Sequence, residues 1–284
     1  MTTYPPIDLR GATVLVTGGA QGIGKAVATR FAARGATVAI GDLDADLARA
    51  TAESLGGSGH ALDVRDPASF AAYVAEAESA HGPVEVLVNN AGVMPNGGFL
   101  DLDPATDRMT MEVNVFGVIT GMRLVLPGMV ERGRGHVCNI ASLAGKVPLK
   151  GLAVYNASKF AVVGLTAATR LEYAASGVSI TAVLPSAVDT ALASGIDFRP
   201  LPKVSPDTIA EAVERSVAHR SAEIPVPRYI GALAGVMTAT PEPALNLVRR
   251  LVRDDRALQA DDAERAAYNS RMADESRDRT RESL

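Results

Sequence analysis

The sequence predicts an α/β protein built on one doubly wound, mostly parallel sheet. Short apolar runs alternate with longer helical patterns, and no Pro/Gly/Ser-rich linker is long enough to divide the chain. The runs are also apolar on nearly successive residues, as expected of strands covered by helices on both faces. Val84–Asn89, with Val84, Val86, Leu87 and Val88, is the clearest of them.

Taken in order, Ala12–Thr17 reads as a strand, Gly22–Arg34 as a helix, Thr37–Gly41 as a strand and Ala45–Leu55 as a helix. His60–Asp63 follows as a short strand, then Pro67–His81 as a helix with proline in its first turn. Beyond the Val84–Asn89 strand, a long helix is expected from Pro104 to about Glu131, broken near Pro127. Gly135–Ser142 reads as a strand, Ala153–Ala175 as a long helix and Val178–Leu184 as a strand, with right-handed crossovers setting the topology. Asp189–Lys203 has the look of a mobile segment, and Ser205 caps a helix that starts at Pro206 and runs to about Arg220. Ser221–Val226 is a weak last strand. From Pro227 a C-terminal helical extension is expected. Its residues 245–284 carry nine arginines and nine acidic residues, so a solvated tail or helix-packing face is the plain reading, and a partner-binding tail the sharper one.

With 284 residues, 47% hydrophobic and 21% charged, the chain can bury a full core and is not a disordered one. One domain over 1–284 is expected, with a core of about 10–226, a lid of about 189–220 and the extension of about 227–284. The 28 Lys+Arg against 32 Asp+Glu leave a net charge of -4, which supplies no basic field for nucleic acid or anionic membrane. Cys138 is the single cysteine, which excludes an intrachain disulfide and fits a reducing, cytoplasmic setting. Within Val137-Cys138-Asn139-Ile140 it reads as a small buried hydrophobe, with a reactive thiol as the alternative. Met1–Arg10 has no apolar secretory region, no run approaches 18 apolar residues, and uncharged Tyr229–Thr240 is short for a span, leaving only peripheral membrane contact there. His60, His81, His136 and His219 show no ligand spacing, so no metal is expected.

Thr17-Gly18-Gly19-Ala20-Gln21-Gly22-Ile23-Gly24 lies between the first strand and helix. Glycines let the backbone turn tightly against a pyrophosphate, and the helix N-terminus offers unpaired N–H donors. The Gly-x3-Gly-x-Gly spacing departs from the commoner G-x-G-x-x-G, and the missing Gly-Lys-Ser/Thr ending argues against an ATPase. A ligand-free glycine turn stays open. Asp42 lies 18 residues beyond Gly24, where a carboxylate can accept from an adenosine 2′-hydroxyl and repel a 2′-phosphate, which favours NAD over NADP. Its plain alternative is a solvent-facing turn aspartate. Asp63 has a weaker claim, beside an adenine.

Tyr155 and Lys159 are four apart on a predicted helix and share a face. An ammonium near the phenolic oxygen favours phenolate and brings a pKa of ~10 toward the working range. The offset is also common by chance. Ser142, ending the preceding strand, can hydrogen-bond a substrate oxygen. Asn89-Asn90-Ala91-Gly92 ends the fourth strand at the sheet edge where ligands bind, though a capped turn explains it equally. Asn114 is polar within an apolar helical stretch and needs solvent or a hydrogen-bonding task.

Together these motifs resemble the short-chain dehydrogenase/reductase family over roughly residues 10–226. The resemblance rests on TGGAQGIG at 17–24, Asp42, Asp63-Val64, NNAG at 89–92, Asn114, Ser142, Tyr155 with Lys159, and Pro185 through Thr190. It implies a Rossmann-like fold and an oxidoreductase that moves hydride between NAD(H) and a secondary alcohol or ketone. Tyr155 would be the acid/base, Lys159 its pKa-lowering partner and ribose ligand, Ser142 the substrate-positioning hydroxyl, and Asn114 the holder of a helix bend and relay water. Cofactor contacts would come from Gly18, Gln21, Gly22, Ile23 and Gly24 at the turn, and from Asp42, Asp63 and Val64 at the adenosine end. Asn90, Ala91 and Gly92, then Tyr155 and Lys159, then Pro185, Val188 and Thr190 would complete the set. One departure is Ser186, where the family usually has glycine; a negative φ would accommodate it. Leu143, Val147, Leu149, Leu152, Leu192, Ile196, Phe198 and Leu201 suggest an apolar substrate wall or mutual packing. A homotetramer or homodimer through the helices near 104–131 and 153–175 is also implied. An NADP-dependent carbonyl reductase and a non-catalytic nucleotide-binding regulator are the alternatives.

Overall fold

The computed structural model describes residues 4–188, 192, 194–196, 203–243, 265 and 268. The alternation read in the sequence folds as β1 (Thr13–Thr17), α1 (Gly22–Ala33), β2 (Thr37–Asp42), α2 (Ala45–Ser54), β3 (Ser58–Ala61), α3 (Pro67–His81) and β4 (Val84–Asn89). It continues with α4 (Pro104–Met111), a π-helical turn (Glu112–Phe116), α5 (Gly117–Glu131), β5 (Gly135–Ile140), a 3₁₀ turn (Leu143–Gly145), α6 (Ala153–Glu172) and β6 (Val178–Pro185). Two short strands, β7 (Ala187–Val188) and β8 (Lys203–Val204), precede α7 (Pro206–His219), β9 (Glu223–Val226) and α8 (Arg228–Ala239).

Seven strands form one parallel sheet in the order β3-β2-β1-β4-β5-β6-β9. Strand order reverses between β1 and β4, which opens a crevice beyond their carboxyl ends. Period-two alternation divides each apolar strand between the two faces. Leu15, Leu87, Val137 and Ile180 pack toward α3, α5 and α6, together with Phe70, Met122 and Val162. Val14, Val16, Val86 and Val88 pack with Val27, Phe31, Ile209 and Val213 of α1 and α7 on the other face. The Arg30–Glu214 ion pair, at 2.5 Å, ties α1 to α7 at the rim.

Helix starts follow the chemistry expected of them. Asp66 and Asp103 cap α3 and α4 just ahead of Pro67 and Pro104, and the Ser205 hydroxyl accepts from the Thr208 amide ahead of α7. Three expectations shift. The third strand is Ser58–Ala61 rather than His60–Asp63, because pairing with Ala39–Asp42 sets its register and Gly59 lies where a Cβ would meet the Arg49 backbone at 2.4 Å. The long 104–131 helix is irregular at Glu112–Phe116, not at Pro127, which sits inside α5 without ending it. β7 and β8 were too short for a periodic signal and, among the described residues, pair with each other.

By length and composition, Pro104–Glu131 is apolar enough to cross a membrane, although no unbroken run in the sequence suggested it. Its apolar face is instead inside the core, where Val118, Met122, Val125 and Met129 are buried. Cys138 is fully buried and burial pushes its thiol up to about 12, consistent with a small core hydrophobe.

Candidate active site

The carboxyl ends of β1, β2, β4, β5 and β6 open onto one cleft of about 660 Å³. At its first end lies the glycine turn. Gly18 and Gly22 have φ of +61° and +56°, left-handed values that glycine adopts without strain. Gly24 lies beneath the turn rather than on the wall, and a Cβ there would fall 2.1 Å from the Gly18 carbonyl oxygen. Gln21 makes no side-chain cap and no acidic residue occupies the first turn of α1, so its opening amides remain directed outward. The turn is braced from β4: Asn90 Nδ2 donates to the carbonyls of Thr17 (3.0 Å) and Gly18 (2.9 Å). Thr17 Oγ1 accepts from the amides of Asn90 and Ala91, each at 3.0 Å. This cradle fits a pyrophosphate: backbone donors line it, and added side-chain atoms would fill it.

Asp42 ends β2 on the cleft wall, where its carboxylate accepts from the Ala20 amide at 3.1 Å and so ties the second strand to the glycine turn. Asp44, Asp63 and Val64 line the same end. The Asp63 carboxylate is bound by Arg65, with Nη2 at 2.8 Å from Oδ2. Among the described wall residues the one cation is Lys159.

The other end gathers Ser142, Tyr155 and Lys159. Tyr155 and Lys159 stand one turn apart on α6 and are 6% and 5% exposed, so both polar ends must work with few competing waters. Lys159 Nζ donates to the Ile140 carbonyl at 2.9 Å and lies 5.7 Å from the Tyr155 ring centroid. Burial lowers Lys159 to about 8. Burial also raises Tyr155 to about 12; a hydrogen bond with Ser142 opposes that rise, and nearby Tyr268 adds to it. The expected lowering of the phenol by its lysine neighbour is therefore outweighed by desolvation. Ser142 Oγ accepts from the Ala144 amide at 3.1 Å, fixing the hydroxyl at the start of the 3₁₀ turn.

Asn114 sits behind the wall, 1% exposed. Its Oδ1 accepts from the Val93 amide at 2.9 Å, while Nδ2 donates to the Val93 carbonyl (2.9 Å) and to Ser158 Oγ (3.0 Å). Those bonds occupy the π turn and hold the NNAG strand end against α6. A Cβ on Gly92 would lie 3.2 Å from Asn114 Oδ1 and 3.6 Å from Lys159 Nζ, so the glycine leaves room where the three meet.

Gly18, Gln21, Gly22, Ile23, Asn90, Ala91, Gly92, Pro185 and Val188 all reach the wall. Thr190, Phe198 and Leu201 lie outside the described residues. Ser186 also lines the cleft, and among the described residues Arg220 is the only non-glycine at positive φ, so the serine fits its unusual position without left-handed strain. Leu143, Leu149, Leu152 and Leu192 form part of the wall, whereas Val147 packs toward Ile230 and Ala234 and Ile196 packs behind Tyr155. Sequence reasoning missed Met94, Arg265 and Tyr268, and gave Thr17 only as part of the turn motif. Tyr268 lines the cleft and Arg265 is fully buried, which corrects the expectation of a solvated tail at these two positions.

A parallel sheet whose crevice runs from a glycine turn to a buried phenol is the arrangement of a nicotinamide-dependent oxidoreductase. Residues 12–198 match the family model for short chain dehydrogenase, and the chain belongs to the short-chain dehydrogenase/reductase family. Its activity class is oxidoreduction with NAD(H) or NADP(H) on small carbonyl or alcohol compounds. It is 35% identical over 237 residues to Oxidoreductase UcpA of Salmonella typhimurium, covering 81% of this chain and 89% of that protein. It is 35% identical over 226 residues to Ketoacyl reductase HetN of Nostoc, covering 76% of this chain and 78% of that one. Among solved structures, 3-ketoacyl-(acyl-carrier-protein) reductase from Brucella melitensis complexed with NADH superposes with a TM-score of 0.71 at 30% identity, covering 77% of this chain and 97% of that chain.

Proposed function

We propose that the protein is an NAD(H)-dependent dehydrogenase/reductase of secondary alcohols and ketones with apolar substituents. The observation that carries the reading is a single cleft with Asp42 on one wall and Tyr155 on another. Asp42 and Asp44 lie at the adenosine end, where a carboxylate is unsuited to a 2′-phosphate, which supports NAD over NADP. The relative from Brucella melitensis, whose structure is complexed with NADH, supports the same choice. Met94, Ala144, Leu149 and Leu152 around Tyr155 support an apolar substrate.

In this reading a bound nicotinamide dinucleotide supplies the hydride acceptor or donor and, when oxidised, a positive charge beside the phenol. The glycine turn with Asn90 holds the pyrophosphate, and Asp42 accepts from the adenosine ribose. Ser142 and Tyr155 hydrogen-bond the substrate oxygen. In alcohol oxidation the Tyr155 phenolate takes the hydroxyl proton; in ketone reduction the phenol returns it, with Lys159 as the ammonium that favours phenolate. Asn114 positions the NNAG strand end and α6. The reading takes residues 1–284 as one Rossmann-like unit in the cytoplasm. It assembles as a homodimer or homotetramer through α5 and α6, whose neighbourhood leaves Phe116, Phe160 and Leu171 exposed at 58%, 43% and 78%.

The test combines separate NAD⁺ and NADP⁺ titrations with a coupled panel of sterol-like, terpenoid, sugar and simple secondary alcohols. Tyr155→Phe is expected to keep NAD⁺ affinity while turnover drops by about 10²–10⁴-fold. Undiminished turnover in that variant overturns the proton-transfer role.

A further inference from the structure

Two buried side chains near the C-terminus have no part in the chemistry above. Tyr268 is 5% exposed, lines the cleft on the same side as Tyr155 and accepts a hydrogen bond from the Met94 amide at 2.7 Å. Arg265, three residues earlier, is 0% exposed. Its guanidinium donates to the carbonyls of Leu192 (3.1 Å), Ser194 (2.9 Å) and Met94, and lies 4.6 Å from the centroid of the Tyr268 ring.

A guanidinium removed from water needs compensation at each N–H. Here the described partners are backbone carbonyls from two separate segments plus an aromatic face, and Nε has none. Such a group serves as a tie between segments: its planar fork joins Met94, after β4, to Leu192 and Ser194. The stacked ring of Tyr268 is thereby held against the cleft, with its hydroxyl anchored to Met94 and its face among apolar neighbours that include Leu192.

We propose that Arg265 is a positioning residue and Tyr268 a specificity-determining one, a C-terminal clamp whose ring limits the bulk of the apolar group a substrate carries beside Tyr155. The proposal rests on the alcohol/ketone reading above and adds the element that sets substrate size. An apolar wall discriminates by volume, and a ring-sized vacancy is worth far more than one methylene.

The test compares 2-propanol, 2-octanol, cyclohexanol and a decalol with NAD⁺ as partner. Tyr268→Ala is expected to lower KM for the decalol by about ten-fold or more relative to 2-propanol. Tyr268→Phe, which keeps the ring, restores the wild-type size profile. Arg265→Met shifts the profile as Tyr268→Ala does, and Arg265→Lys does not rescue it because the fork is lost. Unchanged KM ratios in Tyr268→Ala, with NAD⁺ affinity and Tm retained, overturn the clamp. Tyr268→Leu replaces that variant if it does not fold. If wild-type protein oxidises none of the alcohols, the reading above fails, and the clamp is judged separately by calorimetric binding of the matching ketones to the NADH-loaded protein. Bulky ketones that bind Tyr268→Ala no better than wild type then overturn it.

Discussion

Two buried tyrosines show how a residue's task follows from where its hydroxyl points. Tyr73 spends its oxygen inside the core, accepting from the Val16 amide at 3.2 Å and donating to the Ala39 carbonyl at 2.8 Å, and burial holds its phenol far above the usual range. Tyr155 presents its oxygen to the cleft beside Ser142 and Lys159 and is raised less, to about 12. Lys159, lowered to about 8, is the group on this wall that changes charge near neutrality. A base with a depressed pKa is protonated below that value and loses its charge above it. Ketone reduction is therefore expected to hold its rate below pH 8 and to fall above it, because the ammonium disappears while the phenol keeps its proton. A kcat–pH profile checks this; Lys159→Arg should move the alkaline limb to higher pH, and an unmoved limb assigns it to another group. The Tyr155–Lys159 pair shares a helical face in the sequence, a spacing common by chance, and it stood out only beside the other motifs of the family resemblance. The dominance of desolvation was not legible, because it depends on walls supplied by distant segments. Arg265 and Tyr268 were illegible for the same reason: their bonds to Met94 span 171 and 174 positions.

At the scale of elements, the strand–helix alternation was legible because the central strands β1, β4, β5 and β6 are buried on both faces and α2, α3, α4 and α7 each start behind a side-chain cap. Ser205 followed by Pro206 predicted α7 to within a residue. The edge strand β3 was displaced in the reading because Ser58–Ala61 contains no β-branched or large apolar residue, so its place is set by its ladder to β2. The π turn at Glu112–Phe116 was expected only as a bend implied by Asn114, while intrinsic propensity pointed to Pro127. Asn114→Ala removes three hydrogen bonds and strands the Val93 amide and carbonyl in the interior. Urea unfolding is expected to show a loss of about 2–5 kcal/mol. Turnover should fall as well, because the same bonds hold the end of β4 against α6. A loss below about 0.5 kcal/mol would mean that solvent or a neighbour replaces the amide.

Across the whole molecule, His136 joins β5, β6 and α7 through hydrogen bonds to Ser179 and Ser216, both at 2.8 Å. Burial and the nearby Arg220 and Arg170 hold its pKa well below the usual imidazole value. Below about pH 6.5 the unfolded chain takes up a proton that the native imidazole refuses, so stability falls as pH falls through that window. The slope from this one group approaches about 1.4 kcal/mol per pH unit. Chemical unfolding between pH 7.5 and 5 should show it, and His136→Gln should flatten the curve; an unchanged curve in the variant removes His136 as the source. At this scale the doubly wound parallel sheet was readable from the strand–helix alternation, but its strand order and the return of Arg265 and Tyr268 to the cleft were not. The small ladder Ala187–Val188 against Lys203–Val204 carries a last consequence. It ties Ala187–Val188, immediately beyond β6, to Lys203–Val204, immediately ahead of α7. Exchanging the chain between these two strands leaves β6 and α7 joined, but it has to keep Leu192 on the cleft wall and the Ser194 carbonyl that accepts from Arg265.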